Sequence, residues 1–348
     1  MATAQPLAPA DITSAQDGGP EWEGRVKASF DSRRGACVWY RRWSPRIGTK
    51  AVAMLMIAHG LHSHGGRWTK VAHYYTQKGF LVYANDHVGH GLTAEAMEGT
   101  TGMVDDHTKL SDDFTEFVEK MVETEEDKSL PVYVLGHSMG SLVATVAAKN
   151  CQESTIVGPR FKKLVLSGET SCSPPALPGD SCPLVPGPSA ASPFGLRCLY
   201  PLTKNAGMLR RLSGMMARMD PKGPAAPIKK DALSKDSHVA SEISVDPLAV
   251  KGSVRNKTAF EVIKLIATAK KCAPKITVPT LLVHGAEDDI AYPAGSEKMS
   301  KLLTGCSKVD VKVYTGVLHE VLNQEDHFDA VTSTIDKHWE TASEVPGI

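Results

Sequence analysis

An α/β fold with a mostly parallel central sheet, helices on both faces and one inserted helical cap is the architecture this sequence predicts. Three observations carry it. Strand-like and helix-like runs alternate from about Glu21 onward, the pattern of a parallel sheet whose crossovers cover both faces. Gly136-His137-Ser138-Met139-Gly140 is wedged between a short apolar run and a helical run. The long interval from about Ser171 to Lys275 then breaks the alternation without a clear strand.

The strand-like runs lie near Val38-Tyr40, Ala51-Ala58, Leu81-Ala84, Val132-Leu135, Leu164-Leu166, Thr280-Val283 and Val309-Tyr314. They are short, apolar and rich in β-branched residues, as strands buried on both faces are. Helical spacing fills most of the gaps, around Trp68-Lys78, Ser111-Thr124, Ser141-Asn150, Ala294-Leu303 and Glu325-Trp339. Ser111, Asp112 and Asp113 read as the cap and acidic first turn of the second of these helices. Residues 21–170 and 276–343 therefore form one discontinuous core domain, and residues 1–20 a disordered tail.

Residues 171–275 read as a cap or lid, because so long a strandless stretch inside a regular α/β pattern is a functional insertion rather than a loop. Its first part is crowded with prolines from Pro174 to Pro193. Farther on, Leu202, Ala206, Leu209, Leu212, Met216 and Met219 recur at helical spacing, with Lys204, Arg210, Arg211 and Arg218 on other faces. A basic amphipathic helix of this kind either lies on an anionic lipid surface or packs on the core.

Bulk composition excludes several classes. With 39 basic and 39 acidic residues, no global field favours nucleic acid. Seven cysteines, an odd number without paired C-x-x-C spacing, suit reduced thiols. The longest apolar run, Ala51 to Ala58, is far short of the roughly 20 residues a spanning helix needs. The amino terminus lacks the basic start and apolar stretch of a secretory signal. A cytoplasmic protein, touching membranes at most peripherally, is expected.

Ser138 is the candidate nucleophile. On a tight strand-to-helix turn its hydroxyl is pushed out of the sheet edge, and the flanking glycines leave room where a Cβ would strike the backbone. The helix behind it turns its positive end toward any negative charge that builds up there. A serine needs a base, and the base an orienting acid. On this architecture they follow in the order Ser, Asp or Glu, His, each after a strand. The loop Ala286-Glu287-Asp288-Asp289 follows Leu281-Gly285 and offers Asp288, with Glu287 and Asp289 still open on charge alone. His319 follows the strand ending at Tyr314, and of thirteen histidines only it falls at the right place in this order. The backbone N–H of Met139 and that of Leu61, after the strand Ala51-Ala58, are the candidate oxyanion donors. His59, His62, His64 and His73 lack an Asp, Glu or Cys at ligand spacing, so no metal is expected. His107 and Asp112 have the H-x-x-x-x-D spacing of some glycerolipid acyltransferases, a pattern that helix capping also explains.

With these residues in place, the chain resembles monoglyceride lipase and related serine lysophospholipases of the α/β-hydrolase fold. The resemblance spans about Glu21 to Trp339 and rests on His59-Gly60 with His64 and Gly66-Arg67-Trp68, and on Asp86-His87-Val88-Gly89-His90-Gly91. It continues through Gly136–Gly140, Asp246-Pro247-Leu248, Gly285-Ala-Glu-Asp288 and Tyr314-x-Gly-x-x-His319. It implies hydrolysis of a monoacylglycerol to fatty acid and glycerol beneath an apolar cap, through an acyl-enzyme and without a cofactor. Arg67 is then a substrate-binding residue. Ser63 stands where relatives can carry an acid, Leu61 where they have a smaller residue, and Ser141 where they usually have glycine. A lysophospholipase, a broader carboxylesterase, an acyltransferase and a ligand receptor on the same fold are the alternatives.

Overall fold

A computed structural model describes residues 25–97, 99–170, 206–228 and 232–340. Eight strands form one sheet: β1 (Arg25–Asp31), β2 (Cys37–Trp43), β3 (Ala53–Ala58), β4 (Phe80–Asn85), β5 (Val132–His137), β6 (Phe161–Ser167), β9 (Thr280–Gly285) and β10 (Val309–Tyr314). Their order is β1-β2-β4-β3-β5-β6-β9-β10. Pairing is parallel from β4 through β10, while β1 and β2 add an antiparallel edge.

Side-chain alternation along the central strands divides the core in two. Met54, Met56, Val132, Val134, Leu164 and Leu166 belong to one apolar cluster. Their strand neighbours Ala53, Leu55, Ile57, Tyr133, Leu135 and Val165 belong to the other. The first cluster is closed by helices α3 (His107–Thr124), α4 (Met139–Glu153), α7 (Asn256–Cys272) and α8 (Ala294–Leu302). The second is closed by α1 (Thr69–Gln77) and α9 (Phe328–Glu340), whose Trp339 stacks on Tyr133. Burying each large side chain of these clusters contributes about 1.5–3 kcal/mol, which is why near-continuous apolar strands were the clearest signal in the chain.

Three expectations are corrected. β1 was not anticipated: its alternating, largely polar sequence at an antiparallel edge carries little apolar signal. Helix α3 begins at His107, four residues before Ser111, and is capped by Asp106, whose carboxylate accepts from the Thr108 N–H at 2.9 Å. Ser111 and Asp113 are buried within that helix and Asp112 lies on its exposed side. Finally, the interval read as strandless holds a small antiparallel pair, β7 (Pro224–Pro227) with β8 (Ser253–Arg255). Two prolines and a length of three or four residues hid it.

The inserted interval also contains α5 (Ala206–Met219) and α6 (Ser237–Val245), and the short α2 (Gly91–Glu95) follows β4. Among the described side chains of α5, Ser213 and Ala217 are buried, on a helix packed against α7, whereas Met215 is 51% and Met219 78% exposed. Met219 therefore does not sit on the packed face. Helix α7 reaches the main core through Leu265 and Ala269. The tail 1–20, the proline-rich stretch and Leu202 and Lys204 lie outside the described residues. Among the described residues no helix is long and apolar enough to cross a membrane.

Candidate active site

Ser138 occupies the turn between β5 and α4 with φ +55° and ψ −124°. A non-glycine residue at positive φ costs on the order of 1–3 kcal/mol and persists only where its surroundings impose it. Here they do. The Ser138 N–H donates to Ser167 O at 2.8 Å, and Ser138 O accepts from the N–H and hydroxyl of Ser141 at 2.9 and 2.6 Å. A Cβ on Gly140 would lie 2.1 Å from Ala58 O, and one on Gly136 2.3 Å from Gly140 O. Serine at position 141 is thus part of the turn, and its hydroxyl supplies a bond that glycine would not.

His319 and Asp288 come to this serine from the loops after β10 and β9. The Ser138 hydroxyl donates to His319 Nε2 at 2.8 Å, and His319 Nδ1–H donates to Asp288 Oδ2 at 2.7 Å. All three side chains are buried. The loops meet closely because Gly285 has no Cβ: one placed there would be 2.1 Å from Leu318 O. Gly168, at φ +57°, brings backbone against the His319 ring from the other side.

The carboxylate of Asp288 is fully engaged. Oδ1 accepts from the Ile290 and Ala291 N–H groups at 2.8 and 2.9 Å. Oδ2 accepts from His319 and, at 3.1 Å, from His284. Burial works to raise its pKa, yet His319 and His284 hold it well below the usual carboxylate range. For His319 burial works downward, and the charge and hydrogen bond of Asp288, with Glu320 behind them, carry its pKa above the ordinary 6.5. The neighbouring acids diverge: Glu287 pairs with Lys235 at 2.5 Å, outside the cluster.

Met139 directly follows the serine, and Leu61 lies in the loop after β3. Met139 is the first residue of α4, so its N–H has no partner within the helix. Gly60, the residue before Leu61, packs so tightly against the turn that a Cβ there would stand 3.1 Å from Ser138 Cβ. The loop is set by His59, whose Nδ1–H donates to Gly60 O at 2.8 Å and whose Nε2 accepts from the His87 N–H at 3.0 Å. It is set again by Asp86, which binds the Gly65 N–H at 2.7 Å and pairs with the fully buried Arg41. The interval after β6 touches it too: His64 donates to Asp246 at 2.7 Å, and the Val250 N–H donates to His62 O at 3.1 Å. Asp246 has its pKa lowered to about 2, because His64 overcomes the effect of burial.

Two residues of this region escaped the sequence reading. His284 lies within the strand run Leu281-Gly285, and its spacing of four residues from Asp288 is the signal that pairs them. Glu320, beside His319, is buried within 4.0 Å of Arg67 and 3.7 Å of His137. Despite its burial, His137 and Arg67 keep Glu320 ionised well below the usual carboxylate range. Its position next to the expected histidine was the only hint.

The expected non-site histidines bind protein groups: His59 and His64 as above, and His73 with Gln77 at 2.7 Å. Among the described residues, ligand-bearing atoms of Asp106, His107 and Glu261 lie close together. Lys257 and Lys264 both bind Glu261 at 2.8 Å, so that carboxylate already has its cations. His107 and Asp112 do not converge: His107 turns to Glu261 and Asp112 to Arg34.

Residues 49–326 match the Hydrolase_4 family, described as serine aminopeptidase, S33. The chain belongs to this family. It is a hydrolase of the α/β-hydrolase fold. A monoacylglycerol lipase of Mycolicibacterium smegmatis is 29% identical over 90% of this chain and 98% of its own length. The Homo sapiens monoglyceride lipase is 27% identical, over 84% of this chain and 82% of its own. Two solved structures share the fold. A soluble variant of Saccharomyces cerevisiae monoglyceride lipase with a substrate analogue superposes at TM-score 0.69, with 19% identity, over 93% of this chain and 97% of that one. A Bacillus coagulans carboxyl esterase in complex with glycerol gives 0.67 and 24%, over 92% and 99%. In this chain Asp288 and His319 gather around the strand-turn-helix serine.

Proposed function

We propose that this hydrolase cleaves the carboxylic ester of monoacylglycerols to fatty acid and glycerol through an acyl-enzyme. The supporting observation is the unbroken hydrogen-bond series from the Ser138 hydroxyl through His319 to Asp288. His319 Nε2 takes the hydroxyl proton as Ser138 Oγ attacks the ester carbonyl. Asp288 orients the ring and stabilises the imidazolium without itself taking the proton. The N–H groups of Leu61 and Met139 receive the oxyanion, each worth about 3–4 kcal/mol to the transition state. His319 then gives its proton to the departing glycerol oxygen. Water, deprotonated by His319, attacks the acyl-serine; the fatty acid leaves and Ser138 recovers its proton.

Lipid ester as substrate class is supported by the lipase names of the relatives at 29% and 27% identity. We assign Arg67, near Glu320, to the alcohol end of the substrate. Residues 171–275 act as the cap, since the chain leaves the sheet after β6 and rejoins it at the adjacent strand β9. Exposed Met215 and Met219, with Arg211 and Arg218 exposed on the same helix, support peripheral contact of this cap with a membrane. The free thiols of Cys37, Cys151, Cys272 and Cys306 support a cytoplasmic setting.

A second reading, a broader carboxylesterase or lysophospholipase, is favoured by Ser63, a small hydroxyl where relatives can carry an acid. A hydrolysis panel of 2-monoacylglycerol, lysophosphatidylcholine, triacylglycerol and a short soluble ester separates the two. Preference for the monoacylglycerol is expected. Equal or faster turnover of the soluble ester replaces the first reading with the second.

A further inference from the structure

β10 is the last strand of the eight-stranded sheet, and among the described residues no strand lies beyond it. Its backbone polarity can be assigned from its two ends. Lys308 O accepts from the Thr280 N–H at 2.9 Å and Tyr314 O from the Ala286 N–H at 2.8 Å, so even-numbered residues turn their peptide groups toward β9. Alternation turns those of Val309, Val311 and Val313 outward, an open row of donors and acceptors.

The side chains alternate as well. The even residues lie on the α9 face, where the Tyr314 hydroxyl donates to Thr334 at 2.7 Å. The odd ones, all valines, lie on the α8 face, where Val309 packs against the core cluster. Val311 is 39% exposed, and the Asp310 side chain 45%.

The segment Val309-Asp310-Val311-Lys312-Val313 is self-complementary when it meets a copy of itself antiparallel. We propose that this chain forms a twofold dimer through antiparallel pairing of two β10 edges centred on Val311, joining the two sheets into one. In that register Val311 meets Val311 of the second copy, exchanging both outward peptide hydrogen bonds, and Val309 meets Val313 on either side. The valines form a β-branched ladder on one face. On the other face Asp310 stands opposite Lys312 of the second copy, twice by symmetry. The adjacent twofold registers, centred on Asp310 or on Lys312, oppose two aspartates or two lysines. Charge therefore disfavours both of these relative to the Val311 register, and the Lys312 substitution below separates it from a Val309-centred register, which would oppose Asp310 to Lys308 and leave Lys312 unpaired with Asp310. Asp310 exchanges its exposed intrachain partner Lys308, at 2.9 Å, for a cross-strand lysine.

The test is sedimentation equilibrium of the full chain and of charge variants at this edge. The wild-type mass is expected to rise with concentration from 37.4 kDa toward twice that value. Asp310→Lys and Lys312→Asp each oppose like charges and are expected to remain monomeric. An equimolar mixture of the two variants restores Asp–Lys pairing across the edge and is expected to dimerise, as is the double swap within one chain. Dimerisation in the mixture itself reports that both variants are folded. A wild type that stays at monomer mass up to its solubility limit overturns the proposal. So do dimers that survive either single substitution, and variants whose mixture fails to associate.

Discussion

His319 Nε2 stands 2.8 Å from Ser138 Oγ, although 181 residues separate them in the chain. Nothing local joins the two. They meet because β5 and β10 are parallel members of one sheet, so that their carboxyl ends open on the same side. Asp288 arrives from the carboxyl end of β9 by the same logic.

Asp288→Asn tests the orienting role. Loss of the charge removes the principal influence that holds the His319 pKa above 6.5. Protonated His319 cannot accept from Ser138, so wild-type kcat/KM falls as pH drops through that raised pKa. In the variant the acid limb moves to lower pH, while the plateau rate falls by about 10⁴-fold, as for the equivalent change in a serine protease. A pH–rate profile from pH 5 to 9 (roughly the range in which histidine and its neighbours titrate) reads both effects.

Gly140→Ala tests the packing that forces the serine out. Its Cβ would fall 2.1 Å from Ala58 O, a backbone atom that cannot step aside without moving β3. The variant is expected to lose upwards of about 2 kcal/mol of stability, measured by urea denaturation. Gly35→Ala, at φ +73° with open space around it, provides a comparison in which only backbone strain acts.

His87→Phe tests the acid sensitivity of the neighbouring loops. His87 is buried between His59 and Phe114, and burial lowers its pKa to about 3. His62 is lowered to about 3 and His90 to about 4, again chiefly by burial. These folded-state values lie below the unfolded value near 6.5, so the unfolded chain binds more protons as the solution is acidified. Stability from these groups is complete above pH 6.5 and is lost as pH falls toward 4 and 3. Replacing one of them by an apolar ring of similar size is expected to flatten the fall of Tm between pH 6.5 and 4. An unchanged slope would assign the acid sensitivity to other groups.

The parts legible in the sequence share a cause. Ser138 and Asp288 each follow an apolar run buried on both faces, and His319 follows the alternating edge strand β10, so the pattern marks each strand end and the next residues mark the loop. The acid is ambiguous on charge alone, and geometry distinguishes the three: Asp288 turns inward to His319, Glu287 outward to Lys235, and Asp289 is exposed. What stayed hidden depends on contacts between distant segments. The pairing of Glu320 with Arg67 and His137 joins segments 253 and 183 residues apart in number and leaves no periodic trace. β1, β7 and β8 are short or polar edge elements, where burial writes no pattern into the chain. The start of α3 was misplaced because Ser111-Asp112-Asp113 mimics a cap, whereas Asp106 performs that role.

The central claim, that the Ser138 hydroxyl is the nucleophile, is tested most directly by intact-mass and peptide mass spectrometry after exposure to a fluorophosphonate probe. One adduct on the peptide containing Ser138 is expected in the wild type, with none in a folded Ser138→Ala variant that has also lost turnover. Labelling of Ser138→Ala at the wild-type rate, or an adduct on another residue, would contradict it.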